Sequence, residues 1–273
     1  MIRRIRSLVY RKLQRGYHKL TNPEFYRLQK EIRRLEKMPR RKKASTGLLG
    51  KTTHIIDAAS FLSAYRAIFR DEIYAFDPKT SAPRIIDGGA NIGLATLYWK
   101  QHFPNASIVS FEPDPLIFRV LQRNIEEHQY GDVKLVQCGL WSEETELEFQ
   151  SDGADGGHVN EVSSQDATTH RVPVTRLSPY LKEQVDLLKL DIEGAEVEVL
   201  LSVAEDLKNV QRIFVEYHSY VGQEQRLDEM LSVLRNSGFR IHIMPELVAD
   251  QPFIDRLESY GMDHRLNIFA YRA

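Results

Sequence analysis

An apolar strand that runs straight into an acid, a glycine pair and an amphipathic helix admits few folds. The segment Arg84-Ile85-Ile86-Asp87-Gly88-Gly89-Ala90-Asn91-Ile92-Gly93 has that form. Two adjacent glycines let the main chain turn sharply and leave no Cβ between backbone and ligand. The N–H groups of the helix's first turn would face the same place. Asp87, at the carboxyl end of the strand, stands where open α/β sheets bind ligands. A carboxylate there accepts from an ammonium or hydroxyl and repels a phosphate. It therefore favours a cationic, hydroxyl-rich ligand such as S-adenosylmethionine (SAM).

Spacing sets two other glycine loops aside. A dinucleotide fingerprint needs G-x-G-x-x-G, but Ala90 or Asn91 falls where its second glycine belongs. This also disfavours an oxidoreductase. A P-loop needs Lys-Ser/Thr after its last glycine, and Leu94-Ala95 follows Gly93. The other alternative is a tight strand-to-helix turn without a ligand. Against it stands the next strand, Ser107-Ile108-Val109-Ser110-Phe111, with Glu112 at its end. An acid about twenty residues after a glycine loop, at the adjacent strand tip, suits a ribose diol. Asp114 is read instead as the N-cap of a helix over 115–128, with Pro115 in its first position.

The pattern continues as an α/β alternation. Strands are expected at 84–87, 107–111, 133–137, 185–190, 210–215, 239–243 and 266–270, and helices at 92–102, 115–128, 195–203 and 224–237. Ala58, Phe61, Leu62, Tyr65, Ile68 and Phe69 mark one face of an earlier helix ending near Glu72. Residues 147–149 read as a short edge strand. The polar loop 151–165, with Gly153, Gly156, Gly157 and His158, reads as a lid or as disorder. Such alternation predicts a mostly parallel sheet covered on both faces. The last two strands, with no strongly periodic helix between them, predict an antiparallel edge hairpin.

Composition adds an asymmetry. Residues 1–43 hold 16 Lys/Arg and 3 acids, leaving 21 Lys/Arg and 35 acids for the rest of the 273-residue chain. Ile2, Ile5, Val9, Leu13, Tyr17 and Leu20 recur at helical spacing among arginines, a basic amphipathic helix on an acidic body. Such an arm could lie on an anionic membrane surface, dock on its own body or a second subunit, serve as a transit peptide, or touch nucleic acid. No aromatic platform supports the last, and no nucleic-acid partner is expected. Residues 39–47 read as a linker, dividing an arm at 1–45 from a body at 46–273. The single cysteine, Cys138, points to a reducing compartment. With neither an 18-residue apolar run nor a signal-peptide pattern, a cytoplasmic location is expected, possible contact with a membrane surface included.

Acids close four of the first five strands: Asp87, Glu112, Asp191-Ile192-Glu193-Gly194 and Glu216-Tyr217-His218. A core strand gains no stability from such a tip, so four on one edge suggest a site. Asp191 and Glu193, two apart around a turn, can face one cleft; N-capping the next helix is the alternative role for Asp191. Glu196 suits the dipole of that helix. His218 beside carboxylates can hold a proton near neutral pH as a general base does, or be structural. Two carboxylates and a histidine could also hold a divalent metal, but the spacing matches no metal motif, and no residue is assigned as a ligand.

At this point the residues resemble a known family. Asp87-Gly88-Gly89-Ala90-Asn91-Ile92-Gly93, Phe111-Glu112-Pro113, Leu188-Lys189-Leu190-Asp191-Ile192-Glu193-Gly194-Ala195-Glu196 and Val215-Glu216-Tyr217-His218 are similar to the FkbM family of SAM-dependent methyltransferases. The resemblance, over about residues 55–239, implies a Rossmann-like class I methyltransferase with a mostly parallel seven-stranded sheet. It implies SAM as donor and a hydroxyl oxygen of a sugar, glycan or secondary metabolite as acceptor. By position, Asp87, Gly88, Gly89, Asn91, Gly93 and Glu112 would hold the donor and Leu140 would line its adenine. Asp191 would lie near the sulfonium, and Glu216 and His218 would face the acceptor. His218, assisted by Asp191 or Glu216, is the expected base. Gly88 departs from the bulkier residue usual in the family, and the first 45 residues are unexplained by it. The contrasting reading is a non-catalytic scaffold of the same fold whose arm binds a membrane or protein partner.

Overall fold

The computed structural model describes residues 23–151, 157–159, 168–254, 259 and 261–272. The basic amphipathic segment over 2–20 and most of the loop read as a lid lie outside the described residues. Among the described residues no helix is long and apolar enough to cross a membrane.

Helix α1 (Pro23–Glu36) turns Leu28, Ile32 and Leu35 toward the body. Leu35 is buried in the same apolar cluster as Ile55 and Phe61. Glu31 accepts from Arg34 and from Thr46 Oγ1, tying α1 to a small hairpin of β1 (Ala44–Thr46) and β2 (Thr53–Ile55). Strand β1 thus begins inside the run expected as linker. Helix α2 (Ala58–Tyr65) is capped by Asp57, which accepts from the Ser60 N–H, and passes into a widened π turn over Arg66–Arg70.

The central sheet has seven strands in the order β12 (Arg240–Leu247), β13 (Met262–Tyr271), β11 (Arg212–Tyr220), β10 (Leu187–Leu190), β3 (Arg84–Gly88), β4 (Ser107–Phe111) and β5 (Lys134–Val136). Strand β13 runs antiparallel to both its neighbours, and the other pairs are parallel. Period-2 alternation sends Ile85 to the cluster on one face and Ile86 to that on the other. All four residues of β10 are buried, as a strand covered on both faces requires. Helices α3 (Leu94–His102), α4 (Pro115–Glu127), α5 (Glu196–Ser202) and α6 (Leu227–Asn236) connect these strands. From β3 the chain proceeds outward to β4 and β5, then returns to β10 on the other side of β3. That reversal opens a crevice beyond the carboxyl ends of β3 and β10.

Two expectations need correction. A second sheet, in the order β6 (Gly139–Trp141), β9 (Thr168–Arg176), β7 (Thr145–Ser151) and β8 (Gly157–Val159), replaces the expected lone edge strand. Pro173 and the polar run before it hide β9, because proline is poorly tolerated in a strand interior. The alternation is there nonetheless: Val172 and Val174 are buried, while Arg171 and Pro173 are exposed and Thr175 half-buried. Strand β11 also runs on to Tyr220, pairing Glu216 with Asn267 and His218 with Arg265 of β13. These residues belong to a paired strand rather than to a loop beyond its tip.

Candidate active site

The crevice holds a cleft of about 720 Å³, partly open to solvent, walled by Gly89, Asn91, Glu112, Leu140, Asp191 and Glu193 among others. All six were expected from sequence to line a site. The loop after β3 is built by three left-handed residues, Gly89 (φ 75°), Asn91 (φ 49°) and Gly93 (φ 92°). Only the glycines take that region freely. Gly89 has a further constraint, since a Cβ there would stand 1.8 Å from the Asp191 carbonyl oxygen. The glycine is needed for the close approach of the two loops. Gly88 and Gly93 act through packing, against Leu140 and Leu121 respectively, and neither lines the cleft.

The loop's N–H groups are spent on the tip of β4. Gly89 and Ala90 donate to the Phe111 carbonyl, and Asn91 donates to Glu112 Oε2 at 2.9 Å. Glu112 Oε1 accepts from the Asp114 N–H, while Asp114 caps α4 as expected. Burial pushes the Glu112 carboxyl up to about 8 against the pull of these two donors. Phe111, Ile117, Cys138, Leu140, Val172 and Val174 line the same cleft with apolar surface. Burial also pushes the Cys138 thiol up to about 11, so it is inert filling. The two valines come from β9, and their contribution was not foreseen.

Asp87 lies beneath this cleft, not in its wall. Its carboxylate is sealed, accepts from Thr96 Oγ1 at 2.7 Å and stands 3.3 Å from Lys189 Nζ. Lys189, which sequence reading passed over as a strand residue, is 2% exposed and also 3.5 Å from Asp191. Burial works against its charge, but Asp87 and Asp191 outweigh burial and raise its pKa.

Beyond β10 the turn Asp191-Ile192-Glu193-Gly194 projects into the cleft. Glu193 sits at φ 55°, strain of a kind that concentrates at functional sites. Asp191 does not cap α5. The N-cap of α5 is Ala195, without a side-chain cap, and Glu196 braces the turn before the helix by accepting from the N–H groups of Ile192 and Gly194. Its Oε1 also takes His218 Nδ1 at 2.9 Å. His218, expected as the base, has no side-chain exposure and does not reach the cleft wall. Its Nε2 lies 3.5 Å from Glu193 and 3.4 Å from Glu216. Burial opposes a charge on the imidazole, but Glu193, Glu196 and Glu216 outweigh it and hold its pKa well above the usual histidine range. Burial raises Glu193 and Glu216 in turn. Glu216 stands back from the cleft and pairs with Arg265 at 3.1 Å.

A sheet of this order, with one antiparallel strand inserted next to the edge and a glycine loop and acid at its switch point, is the Rossmann-like class I methyltransferase fold. The Methyltransferase FkbM domain profile matches residues 87–241, more than half of the chain. Methyltransferase 1 of Beauveria bassiana (strain ARSEF 2860) is 35% identical over 160 positions, covering 50% of this chain and 64% of that protein. Methyltransferase sdnD of Sordaria araneosa is 32% identical over 213, covering 65% of this chain and 81% of that protein. The 31-O-demethyl-FK506 methyltransferase FkbM of Streptomyces tacrolimicus is 26% identical over 231, covering 70% and 86%. The chain belongs to the FkbM methyltransferase family.

Proposed function

We propose that the chain moves the methyl group of SAM onto a hydroxyl oxygen of a small acceptor, a sugar or a secondary metabolite. The observation that carries this reading is that Glu112 and a set of apolar side chains line one cleft. A buried carboxylate facing Asn91 suits a ribose diol, and the slot lined by Phe111, Ile117 and Leu140 suits a flat, weakly polar base. Bound there, SAM supplies an electrophilic methyl on a sulfonium. Asp191 and Glu193 give that end of the cleft the negative potential a sulfonium favours.

A hydroxyl acceptor is a weak nucleophile and needs a proton acceptor within hydrogen-bond reach. Asp191 and Glu193 line the cleft, so position favours one of them as the group that meets the acceptor. His218 and Glu216 stand behind and orient them. Oxygen as acceptor atom is supported by the name of the Streptomyces relative, which denotes methylation at an oxygen. The test is calorimetric titration with S-adenosylhomocysteine, followed by a screen of sugar and polyol acceptors for methyl transfer. Micromolar binding with turnover on a hydroxylated acceptor is expected. A folded protein that ignores S-adenosylhomocysteine would sink the reading.

A further inference from the structure

His218 presents a nitrogen for which the described residues offer no hydrogen bond. Its Nε2 is buried and without a hydrogen-bond partner, and it points at the carboxylates of Glu193 and Glu216. The opposite nitrogen, Nδ1, is fixed at 2.9 Å by Glu196. Glu196 is itself anchored by the N–H groups of Ile192 and Gly194. Where a cation takes the place of the Nε2 proton, the Nδ1–H held by Glu196 leaves the Nε2 lone pair aimed between the Glu193 and Glu216 carboxylates. That is the relay by which proteins orient a histidine toward a metal ion.

Charge points the same way. Asp191 and Glu193 line the cleft, and Asp87, Glu196 and Glu216 stand behind them. Lys189 is shared between Asp87 and Asp191, and Arg265 between Glu216 and Glu246. For Glu193 and Glu196 the described residues supply no Lys or Arg partner. Glu193 gains the Tyr220 hydroxyl at 3.1 Å, which steers its Oε2. One ligand atom each from Asp191, Glu193 and His218 lies within 4.8 Å of the others. Atoms held about 2.1 Å from one ion sit roughly 3–4 Å apart, so slight contraction closes the set.

We propose that Asp191 and Glu193 from the cleft wall and His218 from behind it bind a divalent first-row cation such as Mn²⁺. Two carboxylates and one imidazole are a hard-to-borderline donor set suited to such an ion. Its catalytic use rests on the methyl-transfer reading, whereas its binding does not. An acceptor hydroxyl seated against the cation would lose its proton more readily. The proton would leave to water or to Glu216, the oxygen's lone pair would form the O–CH₃ bond, and the C–S bond would break to release neutral S-adenosylhomocysteine.

The experiment is titration of the chelator-treated full-length protein with MnCl₂, followed by calorimetry and electron spin resonance. One saturable site per chain is expected, at least tenfold weaker in both Glu193→Gln and Asp191→Asn. Nitrogen modulation of the Mn²⁺ signal is expected in the wild type and absent in His218→Gln, with circular dichroism reporting that each variant folds. No saturable binding by the folded wild type overturns the proposal. So does equal binding in the two carboxylate variants, or a signal without nitrogen coupling, in which case His218 serves only as a counter-charge. S-adenosylhomocysteine is titrated into the same preparation with and without chelator. Its binding without Mn²⁺ binding would sink the cation alone, and Mn²⁺ binding without it would sink the donor reading alone.

Discussion

Lys189 Nζ lies 3.3 Å from a carboxylate oxygen of Asp87, with 3% and 0% of the two side chains exposed. The same ammonium donates to the carbonyls of Gly88 and Gly89 at 3.1 and 2.8 Å. One buried cation thus fixes the glycine loop to the neighbouring strand and leaves the loop's shape independent of a ligand. Breaking a buried pair by removing one partner strands the other charge. Lys189→Met should therefore cost about 3–5 kcal/mol of stability, read by urea denaturation. Lys189→Met combined with Asp87→Asn should recover part of that loss, because no bare carboxylate then remains. A single-mutant loss below about 1 kcal/mol would mean the pair does not hold the loop.

Gly89 tests how tightly the two site loops are pressed together. A Cβ at this position meets the Asp191 carbonyl oxygen at 1.8 Å, and the residue sits at φ 75°. Backbone cannot yield as a flexible side chain would. Gly89→Ala should lose at least about 2–4 kcal/mol and abolish S-adenosylhomocysteine binding, as measured by thermal unfolding and calorimetry. Near-normal values for both would show that the loops separate readily. Gly88→Ala is the milder comparison, because its nearest side-chain obstacle is the mobile end of Leu140 at 2.9 Å.

Glu112 discriminates a ribose site from a plain turn. If its carboxyl takes a diol, Glu112→Gln removes one of its two oxygens and should weaken S-adenosylhomocysteine by roughly tenfold, about 1.4 kcal/mol. Stability should fall by about 1–3 kcal/mol, since the amide oxygen accepts from only one of the two N–H donors, Asn91 or Asp114, and the NH2 group faces the other. Unchanged affinity in a folded variant would remove Glu112 from donor recognition.

Much of this arrangement was readable in advance, for physical reasons that can be named. The strand and helix periods of 85–128 are strong, and the Asp114-Pro115 start of α4 is written in the chain. Asp191 and Glu193 were legible as cleft acids because their turn follows a strand that is apolar but for Lys189. What escaped depended on partners distant in sequence. Lys189 drew no notice as a strand residue, and only the pairing of Lys189 with Asp87 across β10 and β3 gives it a role. His218 looked like a free base at a strand tip because the extension of β11 is fixed by β13, some fifty residues later. Strand β9 was hidden by Pro173, although the buried Val172 and Val174 carried a period-2 signal.

Asp57 supplies a test by acid. Its carboxylate is buried and accepts from the N–H groups of Ser60 and Arg41 and from the Arg40 guanidinium. Burial pushes its pKa upward, but these donors outweigh burial and bring it down from 3.8 to about 2. A depressed carboxylate adds stability above its unfolded pKa and loses it as pH falls through the folded value. The shift is worth roughly 2 kcal/mol, fully present above about pH 5 and gone below about pH 2. Asp57→Asn should therefore be less stable than wild type near neutrality, and the gap should close as the two are compared from pH 5 downward. Chemical denaturation at several pH values measures it. A gap that stays constant to the lowest pH at which both fold would place the loss in the α2 cap alone and deny the charge any part in it.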